Sequence, residues 1–208
     1  MKTLHELGRQ YRTDKGDPAH TFRGRSYLDV YERYLEPRRE SVRSVLEIGV
    51  LGGGSLRMWR DYFPVSHIHG LDINPAAAFT EPRISVHIGS QADQAVLAAI
   101  NPGGTFDLVI DDGSHLVDDQ LITFRELWPR VAPGGLYVME DMRCSYGDLT
   151  EESRTWPGRP FQPPAANFHN DRGRIDSLAL GLIDGMDRLT GDVAAVHFWP
   201  MMIVILKA

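Results

Sequence analysis

Six carboxylates in this chain stand where apolar runs end. Glu47 closes VLE, Asp72 closes HIHGLD, Asp111 and Asp112 close FDLVIDD, and Glu140 and Asp141 close GLYVMED; His115 follows Asp112 by three residues. A carboxylate is costly inside an apolar core and tolerated at its rim, so each acid marks the mouth of a strand. Acidic pairs at neighbouring strand ends can converge on one point. Such an oxygen-only ligand set, with positions left open for water or substrate, suits Mg²⁺. Histidine changes charge near neutral pH, which makes His115 a candidate general base beside such a cation. Asp118 and Asp119 are assigned to the start of the next helix, not to this cluster.

A second chemistry is written around the first acid, in VLEIGVLGGGSLRMW (45–59). Glycines between a strand and a helix let a ligand approach the backbone, and the helix amino terminus adds partial positive charge. Gly49, Gly52, Gly53 and Gly54 do not make the G-x-G-x-x-G pattern that binds a pyrophosphate. An acid after the second strand, here Asp72, can accept both hydroxyls of an adenosine ribose. With Glu47 beside the turn, a ligand carrying an ammonium and a sulfonium, S-adenosylmethionine, suits the site better than NAD.

The elements that must position these groups follow from hydrophobic periodicity. Runs at 42–49, 67–73, 83–88, 106–112 and 135–141 read as strands, and 27–36, 92–100 and 117–128 as helices. Alternation of this kind predicts βαβ units and a parallel sheet covered on both faces. Ile175, Leu178, Leu182, Met186 and Leu189 form a stripe at helical spacing, read as core packing. The tail DVAAVHFWPMMIVILKA reads as two strands joined near Pro200. A terminal hairpin on a parallel sheet points to the Rossmann-like, seven-stranded α/β sheet of class I methyltransferases. Between these parts, 143–173 is proline-rich and aperiodic, a candidate substrate lid. Its Tyr146, Trp156, Phe161 and Phe168 could stack on an acceptor or anchor the loop to the core, and His169 and Asp171 could touch the acceptor or form a surface turn.

Composition narrows the classes further. At 208 residues the chain is expected to form one domain, with 1–40 a helical cap segment. A net charge of −6 argues against a bulk nucleic-acid binder. One cysteine, Cys144, excludes an internal disulfide framework and a multi-cysteine zinc site. The absence of a long apolar run or secretory leader gives a soluble, cytoplasmic protein as the expectation.

The run IDDGSH (110–115), then PGGLYVMED (133–141) with Ser145-Tyr146 after it, resembles the metal-dependent sugar O-methyltransferases of macrolide biosynthesis, the mycinamicin and tylosin type. YRTDKG (11–16) with Tyr27 and Tyr31, and GGSLRMWRDYFP (53–64), share that resemblance. Larger members carry an additional amino-terminal domain, for which this chain is expected to have no room. The resemblance implies a class I fold using S-adenosylmethionine and Mg²⁺. It implies Asp112, Glu140 and Asp141 as metal ligands and His115 as the base that deprotonates a sugar hydroxyl. Glu47, Gly49, Ser55, Asp72, Ser90, Gln91, Asp93 and Asp111 would bind the cofactor, with Thr13 and Lys15 folding over it. The partner implied is a small-molecule glycoside, without nucleic acid or membrane, and a homo-oligomer is compatible. Rival readings are a catechol-type aromatic O-methyltransferase, an NAD-dependent oxidoreductase and a non-catalytic protein that binds S-adenosylmethionine.

Overall fold

Five of the apolar runs form parallel strands in the computed structural model, which describes residues 1–145, 155–156, 159–160 and 171–208. They are β1 (Ser44–Ile48), β2 (His67–Asp72), β3 (Ile84–Ile88), β4 (Phe106–Asp111) and β5 (Val131–Met139). β6 (Val193–Trp199) and β7 (Met202–Lys207) add the expected hairpin, with β7 antiparallel to β5. The spatial order is β6-β7-β5-β4-β1-β2-β3, followed by a short edge strand, Thr80–Glu81, antiparallel to β3. The sheet therefore has eight strands where seven were expected. The addition is a two-residue ladder, too short to leave an apolar period in the sequence.

Helices cover both faces. On one side lie α1 (Leu4–Tyr11), α2 (Tyr27–Leu35) and α3 (Gly54–Tyr62); on the other, α4 (Gln94–Ala99), α5 (Val117–Leu127) and α6 (Arg172–Asp187). α1 and α2 each begin in a reciprocal cap, Thr3 with Glu6 and Ser26 with Asp29, satisfying amide groups a helix start leaves open. Strands buried on both faces explain the near-continuous apolar runs. Each fully buried side chain of the two clusters contributes about 1.5–3 kcal/mol from burial.

The period-two geometry of strands then sorts the acids. Val45, Leu108, Ile110, Leu136 and Val138 pack towards α1–α3, whereas Leu46, Ile48, Val109 and Met139 pack towards α4–α6. Glu47, Asp112 and Glu140 continue the first set by parity, and Asp111 the second. One expectation needs correction. In α6 Ile175 is fully buried and Leu178 and Leu182 pack beside it, but Leu189 lies past the helix end and is 92% exposed. A left-handed backbone at Leu189, φ 57°, ends the stripe. The lid residues Tyr146, Phe161, Phe168 and His169 lie outside the described residues, as does the side chain of Trp156. Among the described residues no helix is long and apolar enough to cross a membrane.

Candidate functional site

Strand ends β1, β4 and β5 deliver Glu47, Asp112 and Glu140 to one buried point, and Lys15 fills it. The Lys15 Nζ lies 3.1 Å from Glu47 Oε1, 2.7 Å from Asp112 Oδ2 and 2.9 Å from Glu140 Oε2. Its side chain is 1% exposed. Thr13 shapes the turn that brings it there, its Oγ accepting from the Lys15 amide at 3.5 Å. Burial works against the ammonium, but the charges of Asp112, Glu140 and Glu47 hold its pKa well above the usual lysine value. The acids are raised as well, which for them disfavours the charged form. Burial and the charge of Asp112 push Glu140 well above the carboxylate range, and burial raises Asp112 and Glu47 against the opposing pull of Lys15. Breaking a buried ion pair of this kind costs about 3–5 kcal/mol.

α2 contributes two phenols at helical spacing. Tyr31 donates to Glu140 Oε1, and Tyr27 donates to Asp141 Oδ1 at 2.7 Å. The same Asp141 oxygen lies 3.6 Å from His20 Nε2, while His20 Nδ1 donates to the Asp14 carbonyl at 2.8 Å. The other oxygen, Oδ2, lies 3.5 Å from His115 Nε2. Burial would raise the Asp141 pKa; His20, His115 and the Tyr27 hydroxyl outweigh it and hold the carboxyl at about 2. Against burial, Asp141 raises His20 to about 9.

Asp112, His115 and Asp141 offer ligand atoms all within 4.8 Å of one another, the geometry of a cation site. Two of these three, His115 and Asp141, have left-handed backbones, φ 56° and 52°. Aspartate and histidine tolerate that region better than most residues, and here it turns both side chains across the end of the sheet. The two carboxylate oxygens, with room for further oxygens, fit a hard divalent ion, and the imidazole beside them is placed to take a proton. Burial and mutual repulsion among the acids leave a deficit of positive charge that such an ion would relieve. Glu140 lies behind this trio, turned to Lys15 and Tyr31.

The ends of β1 and β2 are built differently. Asp72 Oδ2 accepts from the amides of Val50 and Leu51 at 2.9 and 3.0 Å, and Oδ1 from Asn74 at 2.8 Å, tying the glycine turn to β2. A carboxylate has about four acceptor positions, so these three bonds leave capacity for about one hydroxyl. Gly49, φ 91°, sits so close to the Asp112 carbonyl that a Cβ would lie 2.0 Å from it. Ser55, at the start of α3, hydrogen-bonds Glu47 and pulls against the rise that burial gives its pKa. Leu51 and Ile73 flank the turn 86% and 73% exposed, aliphatic surface of the kind a flat ligand covers.

Four other sequence candidates occupy structural posts. Asp111 is fully buried on the opposite face, accepting from Gln91 Nε2 at 3.0 Å and from the Tyr137 hydroxyl at 3.3 Å. Burial raises it to about 6 despite those bonds. Strand parity, which separates it from Asp112, is the reason the pair does not converge. Gln91 bridges Asp111, Thr123 and the Ser114 amide. Ser90 accepts from the Ala92 amide, and Asp93 caps α4 through Ala95. Asp118 and Asp119 lie in the first turn of α5, as expected. Asp171 caps α6. Sequence reasoning missed His20, for which only its nearness to the YRTDKG run could have been a signal. It placed Tyr27 and Tyr31 in the resemblance without a role, because their spacing also reads as core.

Residues 46–142 match a family described as a methyltransferase domain. The chain is 38% identical to demethylmacrocin O-methyltransferase of Streptomyces fradiae over 192 residues, covering 88% of this chain and 43% of that one. It is 39% identical to the 8-demethyl-8-alpha-L-rhamnosyl tetracenomycin-C 2'-O-methyltransferase of Streptomyces olivaceus, covering 79% of this chain and 53% of that one. The chain thus spans about half the length of the curated relatives it matches. The structure of the MycE methyltransferase of the mycinamycin pathway, in complex with Mg, SAH and mycinamycin VI, superposes with TM-score 0.76 at 33% identity. That match covers 100% of this chain and 54% of that one.

Proposed function

The chain carries a methyltransferase-family domain over residues 46–142 on a class I sheet, and from that premise we propose an O-methyltransferase that uses S-adenosylmethionine and Mg²⁺. Its acceptor is a hydroxyl on the sugar of a glycosylated natural product. The observation that carries this reading is the meeting of Asp112, His115 and Asp141 at the ends of β4 and β5, beside the glycine turn of β1. The relatives' names supply the sugar and the antibiotic context.

When bound, Mg²⁺ acidifies a chelated sugar hydroxyl, and S-adenosylmethionine supplies an electrophilic methyl group. Asp112 and Asp141, with Glu140 behind them, are the carboxylates that would hold the ion. Glu47, Gly49, Ser55 and Asp72 would seat the donor. His115 accepts the hydroxyl proton at Nε2 as the oxygen attacks the methyl carbon, so that a C–O bond forms and the C–S bond breaks. Asp141 Oδ2 stabilises the resulting imidazolium, while Tyr27 and His20 fix its other oxygen. Lys15 and Tyr31 close the floor against water, which strengthens every charge interaction above it. Orientation of this kind supplies about 7–11 kcal/mol in favourable cases.

Transfer of labelled methyl from S-adenosylmethionine to a rhamnosylated polyketide, with Mg²⁺ and with EDTA, tests the reading. Turnover is expected with the metal and lost with the chelator. His115→Ala should cost about 10²–10⁴ in turnover and flatten the pH–rate profile while sparing affinity for S-adenosylhomocysteine. Full activity in EDTA, or an unchanged profile in the variant, refutes the scheme.

A further inference from the structure

Three of the eight histidines sit together on the sheet face opposite to the one that Glu47, Asp112 and Glu140 share. His67 and His69 alternate with Ile68 along β2, and Leu71, next in the same period, packs towards α4–α6. β3 runs beside them in register, with Ser85 opposite His69 and His87 opposite Leu71. Three imidazoles therefore project into one layer near the sheet edge. Their rings stand in a row, with centroids 4.7 Å apart from His67 to His69 and 5.7 Å apart from His69 to His87.

Two of these rings turn nitrogens towards each other. His69 Nδ1 is 3.5 Å from His87 Nε2. That is long for a hydrogen bond from a ring N–H, whose ordinary range ends at about 3.2 Å. It is close to the separation a shared metal sets. Two zinc–imidazole bonds of about 2.0–2.1 Å at the tetrahedral angle hold their nitrogens about 3.3 Å apart. His67 Nε2 lies 2.9 Å from Ser85 Oγ, on the residue opposite His69. Next to His67 on β1, Ser44 has a buried hydroxyl oxygen with no hydrogen-bond partner. An ion with its own bound water would relieve that cost.

The surroundings select among ions. The charge of Arg130 acts on His69, while its guanidinium donates to the carbonyls of Leu97, Ile100 and Asn101. A cation there opposes ions held by carboxylate oxygens, such as Mg²⁺ or Ca²⁺. A transition ion is held instead by directed bonds to neutral imidazole nitrogens. Burial lowers the pKa of His69 to about 4 and lowers that of His87 too, so both rings are neutral at pH 7. With the protons on His69 Nε2 and His87 Nδ1, the two facing nitrogens both offer lone pairs.

We propose that His69 and His87 form a second metal site, for a divalent transition ion such as Zn²⁺, with His67 as third ligand once its ring turns from Ser85. The ion clamps β2 to β3 near the sheet edge. It takes no part in methyl transfer, so the assignment stands whatever the acceptor is.

Calorimetry with Zn²⁺ on the full, untagged chain in excess Mg²⁺ tests this, beside the His115→Ala chain, whose acid cluster has lost its imidazole. Both chains are expected to bind Zn²⁺ with a micromolar dissociation constant and to melt at higher temperature with it. His69→Gln and His87→Gln should each weaken that binding at least tenfold, and His67→Gln at least threefold. The rise in Tm with Zn²⁺ should vanish in the first two variants, which a mere packing role for the rings would not produce. His67 is exposed, so His67→Gln, together with His87→Gln, decides the matter should His69→Gln fail to fold. No micromolar Zn²⁺ binding overturns the assignment, as does binding unchanged in the β2 and β3 variants. Binding that is lost in His115→Ala gives the ion to the acid cluster and overturns it too.

Discussion

The ends of β1 and β2 and the ends of β4 and β5 solve opposite problems within one sheet. The first pair presents backbone amides, one carboxylate that organises them and exposed aliphatic side chains at Leu51 and Ile73. The second pair packs Asp112, Glu140 and Asp141 under Lys15, Tyr31, Tyr27 and His20, with two left-handed backbones. A donor that is bound and released each cycle needs a surface whose hydrogen bonds are already satisfied without it. A cation that must polarise an oxygen needs charges held close in a dry place, and those require counter-charges to fold at all.

The sharpest break between the two regions is Asp141→Asn. On the proposed scheme, loss of this carboxylate should weaken Mg²⁺ binding by about a hundredfold or more, measured by calorimetry, and leave affinity for S-adenosylhomocysteine within a few fold. Were both affinities to fall together, the two ends of the sheet would be one coupled site. Next in size is Asp72→Ala, which removes charged acceptors from the Val50 and Leu51 amides. Hydrogen bonds to charged groups are worth about 1.5–3 kcal/mol, so affinity for S-adenosylhomocysteine should drop by about one to two decades with Mg²⁺ binding intact.

The contrast also marks what could be read from the sequence. The strands, the hairpin and the glycine turn rest on local signals: apolar runs, glycines, an acid at each strand end. The floor of the second region does not. Lys15 meets Asp112 and Glu140 across sequence separations of 97 and 125 residues, and no periodicity encodes such a meeting. Tyr27 and Tyr31 look like any aromatic stripe until Glu140 and Asp141 are placed beneath them. Adjacent acids also mislead, since Asp111 and Asp112 look like a pair and strand parity sends them to opposite faces.

The smallest expected effect lies well away from both regions, at His69 in β2. Burial, then the neighbouring His67, His87 and Arg130, lower its pKa to about 4. The folded state thus disfavours its charge, and the sign follows. Stability from the neutral ring is fully present above the unfolded value near 6.5 and is lost as pH falls through 4. Solvent screening at a partly exposed ring keeps the effect at about 1 kcal/mol. His69→Phe should therefore flatten the fall in urea midpoint between pH 7 and pH 4.5. An equal fall in both proteins would place the acid sensitivity in the carboxylate centre instead.

Lys15 carries one more consequence, for anyone who wishes to re-engineer the chain. The arm that bears it is pinned to three separate strands through a single ammonium, so the arm and the sheet are one mechanical unit. A tag joined at Met1, which is 91% exposed, leaves that clasp shut. Trimming past Lys15 unlatches three strand tips in one stroke, and no graft that lacks a buried cation at this spot can stand in for the arm.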